Sequence, residues 1–132
     1  MISGREWLEF WASGIPLIDW YYSLKYKSTS VERKLFPKFC ARSQKDLIIS
    51  TAEHLAYFII GFFAVKVIHA WIAFLIGFFV IFAVVPFEFI LYRKKSKLFK
   101  GMSDKLLFII TLWNIFNVLF YWIIGMVLGM II

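Results

Sequence analysis

The last 27 residues, Leu106 to Ile132, contain no charged side chain. A helix of that length extends about 40 Å, more than the roughly 30 Å hydrocarbon core of a bilayer. A small soluble domain has too much surface for its volume to hide such a segment. The run therefore predicts a membrane span, and the rest of the chain agrees: 62% of its 132 residues are hydrophobic, 21% aromatic and 17% charged. Soluble domains carry about a quarter charged residues. Lipid is the solvent this composition suits.

Leu47 to Tyr92 is a second apolar run of 46 residues, interrupted by Glu53, Lys66 and Glu88. As one helix it would be about 69 Å long, more than twice the hydrocarbon thickness, so it is better divided into two spans. The break is expected near Lys66-Val67-Ile68-His69, because a charge and an imidazole together cost much at mid-bilayer and little at an interface. Ser43-Gln44-Lys45-Asp46 fits a capping box before the first span, and Ser103-Asp104 supplies an N-cap and a first-turn acid before the third. Pro86 inside the second span removes a backbone donor and predicts a kink.

Residues 1–46 differ in kind. Trp7, Leu8, Trp11 and Ile15 recur at helical spacing, Gly14 and Pro16 interrupt, and Leu17, Trp20, Tyr21 and Leu24 resume it. Glu6, Glu9, Ser13, Asp19 and Ser23 occupy the opposite positions. This pattern describes amphipathic helices lying in the headgroup region, where Trp and Tyr prefer to sit. A fourth span over residues 7–24 is the alternative, but it would carry Glu9, Asp19 and Pro16 through the core. A basic connector follows from residue 25, with Thr29-x-x-Glu32 as a helix start and Pro37 as a stop. The expected fold is thus an all-α integral membrane protein. Three transmembrane helices, at about 47–65, 70–92 and 106–132, follow an N-terminal amphipathic interfacial segment (1–46), and a basic loop occupies 93–105.

Fifteen Lys and Arg stand against eight Asp and Glu, a net charge of +7. Beside apolar runs this charge points to anionic lipids and to orientation rather than to nucleic acid. Eight of the basic residues fall in 1–46 and six in 93–105, two segments that share one side in a three-span chain. By the positive-inside rule that side is cytoplasmic, which leaves Lys66 outside and Ile132 at the far face of, by expectation, a bacterial inner membrane. No cleavable leader is expected, since the first 20 residues include Glu6, Glu9 and Asp19 and lack a continuous apolar stretch. The single cysteine, Cys40, excludes an internal disulfide; beside a span it is either an idle thiol or a palmitoylation site.

Polar groups within the spans are the candidate functional residues. On the third, Thr111, Asn114, Asn117, Tyr121, Gly125 and Gly129 fall within about 60° of one line, and Gly125-x-x-x-Gly129 is the spacing that lets another helix approach closely. Ser50, His54, Tyr57 and Gly61 form a similar stripe on the first span, and Ala70, Ala73, Gly77, Val84 and Glu88 on the second. These faces suit either an inward-packed bundle or docking onto other membrane proteins. Glu53, His54, Glu88 and Asn114 lie at comparable depth and would make a polar layer, structural in the simpler reading and proton-relaying or metal-binding in the sharper one. A second ligating His at metal spacing is missing, so no metal or other cofactor is expected. Arg93, Lys94, Lys95 and Lys97, with Trp7, Trp11 and Trp20, are candidates for contact with lipid headgroups or a partner.

No phosphate loop, nucleophile elbow, H-E-x-x-H or paired-cysteine motif is present, so no catalytic residue is assigned. An interfacial segment followed by three spans resembles the layout of the small bacterial diacylglycerol kinases. The E-x-x-N-x-x-x-E pattern of that family is absent from all three spans, and none of its residues carries over. The leading expectation is a small non-enzymatic membrane subunit of a larger transport, secretion or energy-transducing complex, assembled through its small and polar helix faces. A homo-oligomeric ion or proton channel or transporter, and a membrane-embedded toxin-immunity protein, are the alternatives.

Overall fold

A computed structural model describes residues 2–15, 18, 21, 30–35, 44–95 and 103–132; the side chains of residues 32, 44–47, 89 and 92–95 lie outside the description. Among the described residues the structure is helical and contains no strand. The helices are α1 (Gly4–Ala12), α2 (Ser30–Leu35), α3 (Gln44–Val67), α4 (Ala70–Lys95) and α5 (Asp104–Ile131).

Three of these are long and apolar enough to cross a membrane, over Ile48–Val67, Ala70–Glu88 and Asp104–Ile131. They form because long runs of Phe, Ile, Leu and Val offer no polar competitor to backbone hydrogen bonds, and in lipid those bonds must all close within the segment. The α3–α4 turn uses two residues, Ile68 and His69. The Ile68 N–H still donates to Ala64 O, the Ala73 N–H donates to His69 O, and the Trp71 N–H donates to His69 Nδ1 at 3.2 Å. His69 therefore caps α4, satisfying one of the donors that a helix start leaves without a partner. Ser103 does the same for α5, accepting from the Leu106 N–H at 3.3 Å. The Ser43 capping box lies outside the described residues. Pro86 is accommodated within α4, which continues to Lys95.

Helix α5 is central: 44% of its span is buried, against 22% for α4 and 11% for α3. It runs parallel to α3, because His54, Phe58 and Phe62 meet Tyr121, Gly125 and Gly129 in the same order. Helix α4 packs on another side of α5 and buries a stripe of Ala73, Gly77, Ile81 and Val85, with Gly77 against Trp122.

The N-terminal helix packs onto the first half of α5. Phe10, 1% exposed, stacks on Trp113 with ring centres 5.6 Å apart, and Trp11 meets Phe116 edge-on at 6.1 Å. The Phe10 carbonyl, left over at the end of α1, accepts from Trp113 Nε1 at 2.8 Å and from Ser13 Oγ at 2.6 Å. Ser3 caps the start of α1, and Lys34 of α2 pairs with Glu6 at 2.9 Å. Residues 16, 17, 19, 20 and 22–29, Trp20 among them, lie outside the described residues, as does the Thr29 end of the expected α2 start.

Candidate functional site at the helix interfaces

The small residues of α3 and α5 bring two backbones into contact. A Cβ built on Gly125 would strike the Phe58 carbonyl, one on Gly129 would strike the Phe62 carbonyl, and one on Gly61 would come 2.7 Å from the Trp122 carbonyl. The G-x-x-x-G face and the α3 stripe are thus consumed by each other. Gly77 of α4 abuts the Trp122 indole, where a side chain would overlap the ring. In lipid such close approach is what holds helices together, since dispersion and short interhelical contacts replace the hydrophobic effect.

Three of the four residues of the expected polar layer divide between two interfaces. Glu53 and His54 are neighbours in sequence, so on a helix they point about 100° apart. Glu53 lies toward α4, close to Glu88, with Tyr57 near both. His54, 7% exposed, faces α5 and stacks on Tyr121 at 5.1 Å, 24° from parallel. Asn114 is half-buried on α5. Among the described residues no three His, Cys, Asp or Glu side chains come together in a group that could hold a metal ion.

Asn117 is fully buried, and neither its side-chain nitrogen nor its oxygen has a hydrogen-bond partner; Trp122 Nε1 is likewise buried and unpartnered. Thr111 satisfies itself by donating to the Leu107 carbonyl at 2.7 Å. Sequence reasoning placed Asn117 on the interhelical stripe but had no signal for its isolation, which depends on what the neighbouring helices present. It also had no signal for the Trp113–Phe10 contact, which joins residues 103 positions apart.

Of the candidates for headgroup contact, Trp7 is half-buried and meets Phe10 edge-on at 5.9 Å, while Trp11 packs on α5 as described. The side chains of Arg93, Lys94 and Lys95, and all of Lys97, lie outside the described residues. Outside the spans, the hydrogen bond from the Lys34 ammonium holds the Glu6 carboxyl below its ordinary value near 4.5. Comparison with known proteins gives no match: no protein family matches the chain, and neither does a curated protein or a solved structure.

Proposed function

We propose that the protein is a small, non-enzymatic integral membrane subunit that assembles with other integral membrane proteins. The observation that carries this reading is how the bundle uses its surfaces. The small-residue faces that permit close approach are spent within the chain, between α3, α4 and α5. What faces outward is broad and apolar, including Trp71, Phe79 and Phe87 of α4 and Ile59 and Phe63 of α3. In the assembled subunit, partners would replace lipid on part of these outer faces, and the Gly125–Gly129 seam would act as the internal brace. The 14 basic residues of segments 1–46 and 93–105 would hold the N-terminal side in the cytoplasm and attract anionic lipid. If the last 20 or so residues of α5 fill the roughly 30 Å core, Trp113 comes to its edge and α1 lies in the headgroup zone. That position suits Trp7 and Trp11.

Affinity purification of the tagged full chain from its native membrane in mild detergent tests this reading. Recovery of one or more membrane proteins at fixed stoichiometry is expected; recovery of the monomer alone, or of homo-oligomers alone, would overturn it. A homo-oligomeric proton or ion conductor is the second reading, favoured by the paired carboxyls of Glu53 and Glu88 within the spans. It requires that the purified chain conduct in liposomes without a partner.

A further inference from the structure

We propose that α1 is a one-sided wedge, sunk beside α5 into a single leaflet, and that its lipid partner is a membrane in which that leaflet is convex and loosely packed. Three features support the wedge. First, α1 touches α5 at the level of one turn. Phe10 stacks on Trp113, Trp11 meets Phe116 edge-on, and a Cβ on Gly14 would come 3.0 Å from the Phe116 ring. Phe116 lies sixteen residues before Ile132, about 24 Å along the helix. That is inside the roughly 30 Å hydrocarbon core when Ile132 marks the far face. The end of α1 therefore enters the edge of the hydrocarbon.

Second, the end of α1 that reaches deepest leaves no backbone carbonyl for water. A helix ordinarily ends with its last four carbonyls unsatisfied, and in lipid each of them is costly. Here Glu9 O accepts from the Ser13 N–H, Trp11 O from the Gly14 N–H and Ala12 O from the Ile15 N–H, while Phe10 O accepts from Ser13 Oγ and Trp113 Nε1. Ser13 and Gly14 are themselves buried. The opposite end is polar: Ser3, Gly4 and Arg5 are exposed, and Glu6 pairs with Lys34 of α2. Between the two ends Leu8 is 70% exposed, a large apolar side chain left for acyl chains. A helix with such a face and a polar rim fits the boundary between headgroups and hydrocarbon.

Third, nothing among the described residues balances α1 in the other leaflet. At the far end α3 and α4 are joined by Ile68 and His69 alone, and α5 ends at Ile131. One leaflet thus holds three spans with α1 beside them, and the other holds three spans. A helix at headgroup level spreads the leaflet that contains it, so it fits best where that leaflet is already expanded; this is why binding of such helices depends on curvature. The ring contacts with Trp113 and Phe116 hold α1 at its depth, so the mismatch with a flat membrane is not relieved by withdrawal. Under the orientation proposed above, the convex leaflet is the cytoplasmic one.

The wedge rests on the helices being membrane spans and not on any protein partner, so it is tested on the full chain alone. The chain is reconstituted by one protocol into small sonicated and large extruded phosphatidylcholine vesicles, and an impermeant thiol reagent is added outside. In a Cys40→Ser background, Gly4→Cys reports the α1 end, where a Cβ has open space around it. Ile132→Cys, at an exposed position, reports the far end. The outer leaflet of a small vesicle is strongly convex. The labelled fraction at Gly4→Cys should therefore rise from large vesicles to small ones, while that at Ile132→Cys falls correspondingly. Leu8→Glu combined with Phe10→Glu withdraws α1 from the hydrocarbon and should abolish the dependence on vesicle size. Complementary labelling that is the same at both sizes would overturn the wedge alone, as would a size dependence of opposite sign or one that survives the double substitution. Full labelling at both positions would overturn the spans, and the wedge with them.

Discussion

Asn117 and Glu6 show how burial decides what a polar residue does. Asn117 is sealed on α5 with its amide unpartnered, and an unmet buried amide costs about 1–3 kcal/mol. Asn117→Leu, close in volume, is therefore expected to raise resistance to unfolding in detergent by an amount of that order; a fall in stability would show that the amide is engaged. Glu6 is partly exposed and paired with Lys34, so its contribution is modest and screened by salt. Its folded-state value is depressed, so the contact is fully present above the ordinary value near 4.5 and is lost as pH falls through the folded value. Hydrogen exchange in α1 and α2 should accelerate over that acid range in low salt, and Glu6→Gln should remove the acid step. Sequence could nominate both residues as polar positions on helices. It could not say which one finds a partner, because Lys34 lies 28 positions from Glu6.

Among the elements, the α3–α5 seam and the α1–α5 contact illustrate two kinds of cohesion. The seam depends on an absence of side chain. Gly125→Ala puts a Cβ against the Phe58 carbonyl, and overpacking of this kind costs about 1–3 kcal/mol. The variant is expected to lower the unfolding midpoint of the isolated protein, before any question of partners arises. An unchanged midpoint would mean that the seam yields without cost. The α1 contact depends on a ring with a polar edge. Trp113→Phe preserves the stack on Phe10 but loses the Nε1–H bond to its carbonyl, worth about 1 kcal/mol. Faster amide exchange confined to α1 is the expected result, with α5 unaffected. Helical periodicity revealed the small-residue stripe of α5 and the regular spacing of Trp7 and Trp11. Which helix each stripe meets was not legible, since one stripe of glycines serves a neighbouring span or a separate protein equally well.

Over the whole molecule, α3 and α5 run parallel and are joined through the reversed α4, which imposes a topology that can be checked directly. Single cysteines at Val67 and Ile132 in a Cys40→Ser background are expected to react with an impermeant reagent from one side of the membrane. Cysteines at Gly4 and Ser103 should react from the other. Labelling of Val67 and Ile132 from opposite sides would exclude the arrangement. The sequence by itself determined that there are three long apolar helices, because hydrocarbon thickness and the demand for internal backbone hydrogen bonds leave a chain of this composition few other solutions. The tertiary structure alone decided that α5 is the central helix, that the glycine faces close on one another, and that Glu53 parts from His54 to meet Glu88. The physical reason is range: hydropathy and helical period act between residues a few positions apart, whereas packing selects among faces that are equivalent until the helices meet.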